Sequence, residues 1–437
     1  MRQVKYFFLI LSGICELVLG VAYGVTLDFE QVLKQATYNS YNLKIAKMDI
    51  AISKTGVLDA RSEYFPVIQA RASLERLKGL QSQPGNVVAI NNLVLPTGTR
   101  YQDTVGLSLM QTLMDFGVRK HKLAIAKADV QAKTSAYDEQ FRNLEFSLID
   151  AYAKALISYK SLKASEATVL LAQELFLMKR RLYQASAIPK TDMAEEAINL
   201  AQALDDQEVA KQKFTESLQT LSGLTRQEYD PNEIELLSFQ DEPLIDLPIF
   251  NEKLTPEAKD YEAQIQQKQD EVECLKRQYL PQVSLYSYYN LYGYDVDHVG
   301  KALQNLGPRT VNLGLAVTMP VFDGFKNYAA IQKAELEKKK LILQRDEKLA
   351  DLKNQARILE TQAKSYSVQF RTKATILNKS QDKMSMLQRL SDQQVIEKTQ
   401  TTKAHIQRIQ QQVQLESATI QSLVAQKKLQ LLASGQN

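Results

Sequence analysis

The sequence predicts a mainly α fold with a small β part, built from two copies of one half-molecule. Three observations predict it. From Val118 to about Ser186 there is no proline or glycine, and apolar or small residues recur every seven positions at Phe141, Leu148, Ala155, Leu162, Val169, Phe176 and Tyr183. The spacing returns 208 residues later at Leu349, Ala356, Ala363, Phe370, Leu377 and Met384. Ahead of each run lie two short segments of apolar–polar alternation, the period of a half-buried strand.

Spacing of seven, with Tyr137, Leu144 and Ala151 as a second row, is the seam of a helix that packs along its length against other long helices. Roughly 68 helical residues would extend about 100 Å, a length no compact domain needs. A strict spacing of seven also implies a left-handed supercoil. The duplication carries more than the helix. Val105-Gly106-Leu107-Ser108-Leu109 matches Leu313-Gly314-Leu315-Ala316-Val317, and Ile188-Pro189-Lys190-Thr191 matches Ile396-Glu397-Lys398-Thr399. A single offset of that size marks a duplicated half rather than a solenoid. The expected division is a signal at 1–24, a first repeat at 25–223, a linker at 224–255 and a second repeat at 256–437.

Taken in order, Arg2 and Lys5 precede an apolar stretch from Phe7 to Ala22, and Ala22-Tyr23-Gly24 offers small residues for cleavage; the segment reads as a secretory signal. Ile14 before Cys15 argues against lipidation there. Export leaves Cys274 alone, so no disulfide scaffold is expected. The first helix is expected over 28–63, from the Asp28 cap to Tyr64-Phe65-Pro66, and its mate from Thr255-Pro256 to Leu280-Pro281. Strands are expected over 67–76, 104–109, 283–289 and 310–319, with loops at Gly79, Pro84-Gly85-Asn86 and Pro96-Thr97-Gly98, and at Gly300 and Gly307-Pro308. These segments have the length of membrane strands, and Tyr286, Tyr288, Tyr289 and Tyr292 suit an interfacial aromatic girdle. After the long helix a break at Ala185–Lys190 leads to a shorter helix from Thr191 to Ser222, ended by Gly223. Residues 224–255, with Pro231, Pro243 and Pro248, read as irregular.

The chain is 44% hydrophobic and 24% charged, with a net charge of +4 and both signs interspersed, which argues against a nucleic-acid surface. No later stretch holds eighteen apolar residues, so no transmembrane helix is expected. The three histidines, His121, His298 and His405, are dispersed and no phosphate-cradling loop is present, so neither an enzyme, a cofactor nor a metal is indicated. Asp115-Phe116-Gly117 matches a kinase magnesium motif only superficially; Asp115 is better read as the cap of the long helix. Glu195-Glu196 and Asp205-Asp206 read as solvated helix faces.

Two motifs carry a family resemblance: Gln111-Thr112-Leu113-Met114-Asp115-Phe116-Gly117 and its mate Met319-Pro320-Val321-Phe322-Asp323-Gly324-Phe325. With the helix restart Thr191-Asp192-Met193-Ala194, they resemble the TolC-type outer-membrane efflux and secretion channels over nearly all of the mature chain. Four strands cannot close a barrel, and open edges are not tolerated in lipid. Three chains would give twelve strands, with long antiparallel helical hairpins forming an α-barrel beneath. The resemblance implies that homotrimer in a Gram-negative outer membrane, reaching into the periplasm. It also implies a periplasmic adaptor and an inner-membrane transporter as partners, in efflux or type I secretion. It places Asp115, Gly117, Asp323 and Gly324 at the strand-to-helix junctions. Ala187, Ile188, Pro189 and Lys190, with Val395, Ile396 and Lys398, would be adaptor-docking tips. Glu397, Gln400, Lys403 and Asp192 would form the tunnel gate, with 395–404 moving and 187–192 staying. The alternative reading is an exported coiled-coil structural or adhesive protein without a pore.

Overall fold

The computed structural model describes residues 25–76, 88–90, 93–95, 101–239, 248–295, 298–307, 309–393, 395 and 397–433. The expected signal, the turns at Gly79, Pro84–Asn86 and Pro96–Gly98, and Pro308 lie outside them. The order is β1 (Val25–Leu27), α1 (Phe29–Asn39), α2 (Tyr41–Ser62), β2 (Val67–Arg76), β3 (Val88–Ile90), β4 (Leu93–Leu95), β5 (Tyr101–Met114), α3 (Val118–Gln184), α4 (Lys190–Thr225) and β6 (Ile234–Leu236). A 3-10 turn at Glu252–Leu254 precedes α5 (Pro256–Arg277), β7 (Gln282–Asp295), α6 (Val299–Gln304), β8 (Arg309–Thr318), α7 (Lys326–Asp392) and α8 (Lys398–Ala433). Helices α3 and α7 are 67 residues each, and α4 and α8 are 36 each. The described residues form two compact units, one drawn from 25–44, 139–255 and 352–433, the other from 45–138 and 256–351.

The second unit holds a four-stranded antiparallel sheet in the order β2-β5-β7-β8. Leu315 pairs with Leu285, Leu313 with Ser287 and Val311 with Tyr289, and across the next ladder Tyr289 pairs with Leu107 and Leu291 with Val105. Directly opposed residues share a face. One face therefore carries Val311, Leu313, Leu315, Val317, Leu107 and Ile68, all with more than half their surface exposed. The other carries Thr310, Asn312, Gly314, Ser108, Thr104 and Gln69. Tyr286 faces Gly314 and Tyr288 faces Asn312, so both lie on the polar face, as Tyr292 does opposite Thr104. Of the four tyrosines expected in an aromatic girdle, only Tyr289 stands on the apolar face. The reason is in the register: a Cβ built on Gly314 would meet the Tyr286 ring at 2.4–3.0 Å, so the missing side chain makes room for the ring. A bulge between Thr112 and Met114 ends the β5–β7 ladder.

In the first unit the core is formed by Leu148, Ile149, Tyr152 and Leu156 of α3, Phe214, Leu218 and Leu221 of α4, and Ile420 and Leu423 of α8. The spacing-of-seven seam holds through Leu148, Ala155, Leu162 and Val169, all buried; the row then shifts to Ala172 and Leu175. In α7, Ala356 and Ala363 are buried, but Phe370 is 40% exposed within one chain.

Three boundaries depart from the sequence reading. The expected 28–63 helix is two helices, because Ser40 leaves helical geometry with ψ 115° and its hydroxyl accepts from Leu43 N at 3.3 Å, capping α2. Helix α4 does not end at Gly223; burying Thr225 carries it on, Asn39 donates to the Thr225 carbonyl at 2.8 Å, and Arg226 takes the left-handed stop at φ 58°. The 224–255 stretch is not wholly irregular, since β6 pairs in parallel with β1 from Val25–Ile234 to Leu27–Leu236. Tyr152 fastens that pair, its hydroxyl lying 2.9 Å from Leu27 O and 2.6 Å from Leu237 O. Phe29, Tyr152 and Phe239 form one ring cluster, with the Lys427 ammonium over Phe29 and Phe239.

Candidate functional site

Two kinds of position carry the sequence expectations: the junctions between strand and long helix, and the two helix breaks. At the first junction Asp115 follows β5. Its carboxylate accepts from Gly117 N at 3.1 Å, from Arg119 N at 2.9 Å and from Arg119 Nε at 2.8 Å. Burial opposes its charge, but the two backbone N–H groups and the Arg119 guanidinium outweigh burial and hold the carboxyl below its usual range. Asp115 is thus a helix cap, as its position implies. Arg119 also donates to the carbonyls of Glu63, Thr112 and Leu113 and lies over the Tyr64 ring. The turn needs Gly117, which sits at φ +99°. At the second junction Asp323 accepts from Asn327 N at 2.9 Å, Gly324 takes φ +68°, and Asn327 donates its amide to Leu275 O. The two junctions share a cap and differ in the brace: arginine in one repeat, asparagine in the other.

The two breaks have the same backbone. Ala187 N donates to Leu182 O at 2.9 Å, and Val395 N to Leu390 O at 2.9 Å, a bond spanning five residues that closes the preceding helix. Each next helix restarts on a matching bond, Asp192 N to Pro189 O and Gln400 N to Glu397 O. Ala187, Pro189, Lys190, Val395 and Lys398 are exposed, and Ile188 is half-buried. Ile396 lies outside the described residues.

The charged side chains of the expected gate are paired with residues outside it. The Lys403 ammonium lies 3.0 Å from Glu196 Oε1. Glu397 pairs with Lys179 at 3.4 Å and accepts from the Thr399 hydroxyl at 2.9 Å. Asp192 accepts only a long bond from Thr191, at 3.3 Å, among the contacts described. Glu196 is not a solvated face residue: it is 5% exposed, with Asn199 Nδ2 donating to its second oxygen at 2.9 Å. Burial opposes its charge, but hydrogen bonds from Asn199 and Lys403, and the charges of Lys403 and Lys179, keep its carboxyl below the usual range. Glu397 is likewise held low, by the Thr399 hydroxyl and then by Lys179. Two ion pairs thus tie the first-repeat hairpin α3–α4 to the second-repeat hairpin α7–α8 near their breaks.

Glu196 and Lys179 had a signal in the duplication. Glu196 matches buried Ala404, and Lys179 matches Leu387, so each charge occupies a position where the other repeat carries an apolar or small residue. Among the described residues no group of three or more side chains could hold a metal ion, and no helix is long and apolar enough to cross a membrane.

Residues 32–225 match the family model described as outer membrane efflux protein. No curated protein matches the sequence. Among solved structures, CusC, described in connection with transmembrane channel formation, is 14% identical over 94% of this chain and 93% of its own, with a TM-score of 0.74. The Campylobacter jejuni outer membrane channel CmeC is 18% identical over 92% and 85%, with a TM-score of 0.72. The Vibrio cholerae outer membrane protein VceC is 14% identical over 93% and 96%, with a TM-score of 0.71. At these identities the likeness establishes a shared fold.

Proposed function

We propose that this chain, an outer-membrane protein whose residues 32–225 match the outer membrane efflux protein family model, is the subunit of a trimeric channel that exports solutes. The observation that carries this reading is the sheet. It has one broadly apolar face open to its surroundings and one polar face, and among the described residues β2 and β8 are each paired on one side only. Lipid on the apolar face and a neighbouring copy on each edge would satisfy it. Three copies bring the strand count to twelve, and a barrel of that size encloses a polar lumen.

The helical hairpins are then the periplasmic part, and their breaks its tips. Ala187, Ile188, Pro189, Lys190, Val395, Ile396 and Lys398 are the surface for a periplasmic adaptor, which connects the conduit to an inner-membrane transporter. The Lys179–Glu397 and Lys403–Glu196 pairs hold the tips closed, and Gln400 and Asp192 complete the gate. The mobile turn is the second-repeat one, because exchangeable polar contacts hold it. Cargo is small molecules or secreted polypeptide. The exported coiled-coil alternative leaves the apolar sheet face without a purpose.

The test is reconstitution of purified protein into planar bilayers, with chemical cross-linking to count subunits. Discrete conductance steps and cross-linked species that stop at three copies are expected. A dimer, or a protein that extracts without detergent and never conducts, would overturn the reading.

A further inference from the structure

We propose that a cavity at the foot of the sheet binds an amphipathic organic anion, a carboxylate or phosphate carried on an apolar body. The cavity has a volume of about 530 Å³, within the range of small-molecule sites. It lies wholly within the second unit, where β2, β5, β7 and β8 meet the ends of α2 and α5 and the start of α3. Val67, Met110, Thr112 and Gln282 line it, so it opens on the polar face of the sheet.

Its chemistry is two-sided. Phe65, Val67, Met110 and Leu280 contribute apolar surface that is largely exposed. Three cations stand in the wall, and two are already committed, Arg119 to Asp115 and Lys122 to Glu63 at 2.6 Å. Arg277 is the third. Its Nη1 donates to the Phe116 carbonyl at 2.6 Å, its Nε is buried with no hydrogen-bond partner, and among the described residues no carboxylate pairs with it. Gly117 leaves room for this guanidinium, since a Cβ there would meet Arg277 Nη1 at 3.1 Å. A planar guanidinium with open donors takes an oxyanion in preference to any other group, and the apolar wall takes a hydrocarbon body. A membrane phospholipid and a free organic acid share that chemistry.

The site does not rest on the conduit reading, and its test is separate. Protein in an uncharged maltoside detergent is titrated calorimetrically with decanoate, and with decanol as the uncharged control. Decanoate is expected to bind once per chain and decanol at least about tenfold more weakly, the scale of a hydrogen bond to a charged group. Arg277→Gln should weaken decanoate by about tenfold or more, and Arg277→Lys by less. Met110→Glu, which leaves the Arg277–Phe116 bond in place, should also weaken it, so a misfolded Arg277 variant cannot decide the matter alone. Native mass spectrometry names the source: a co-purified phospholipid displaced by decanoate identifies a lipid ligand, and an empty site that fills with decanoate identifies a free acid. Equal binding of decanoate and decanol, or unchanged binding in both Arg277→Gln and Met110→Glu, would overturn the proposal. Bilayer conductance of the same samples reports on the conduit independently.

Discussion

Replacing Leu315 with arginine puts the membrane placement of the sheet to a direct test. Leu315 is near the middle of β8, 64% exposed, on the face it shares with Leu313 and Val317. If that face meets lipid near the bilayer midplane, arginine there should cost about 2–4 kcal/mol, roughly 30-fold to several hundred-fold in the folding equilibrium. Ala316→Arg, on the polar face, is the control and should cost less than about 1 kcal/mol. Gly314, also on that face, is not a fair control, because any side chain there displaces the Tyr286 ring. The assay is urea-dependent folding into lipid vesicles, read as the shift in midpoint for each variant. If Leu315→Arg folds with the same midpoint as Ala316→Arg, the apolar face does not meet lipid and the register argument fails.

The tip pairs give a second prediction: if they hold the tip closed, Lys403→Met, which strands the buried Glu196 carboxylate, should weaken the closed tip by about 1–3 kcal/mol and raise conductance. A third concerns pH. Glu196 and Glu397 are both held below the usual range, so the closing contribution is fully present above the ordinary glutamate value of about 4.3 and lost as pH falls through the lower closed-state values. Conductance should therefore be flat from neutral pH down to about 5 and climb only in stronger acid. Fourth, Tyr152→Phe should lower stability by about 1–3 kcal/mol in thermal melts, because the carbonyls of buried Leu27 and of Leu237 lose their shared donor. Fifth, Phe370→Ala and Leu377→Ala should destabilise the assembled oligomer more than a dissociated chain, since Phe370 is 40% exposed in one copy; equal melting shifts in both states would show that the seam is internal.

What the sequence made legible was what repeats. The long helices were visible because their apolar spacing runs on for many turns, and the strands because alternation survives in both halves. The cap at Asp115 was legible for a local reason: a carboxylate three residues before a helix has few other roles. Three things were not legible. Ser40 breaks a helix that periodicity would carry through, because its hydroxyl competes locally for an N–H. The tyrosines of β7 were given the wrong face because strand register is a pairing property, and Gly314 makes room for Tyr286 only once the two strands are side by side. The partner of Lys403 was missed because Glu196 sits beside Glu195 in a stretch that reads as solvated; only its match to buried Ala404 set it apart.

The parallel pairing of β1 with β6 imposes an order on folding. Val25–Leu27 cannot find its partner until Ile234–Leu236 has been delivered, and the lysine that sits over Phe29 and Phe239 arrives near the carboxyl end, at position 427. The contact closes a loop of roughly two hundred residues, slow to form for the reason all distant contacts are slow. A chain delivered across a membrane amino end first must therefore keep its leading segment undocked while the whole first repeat follows.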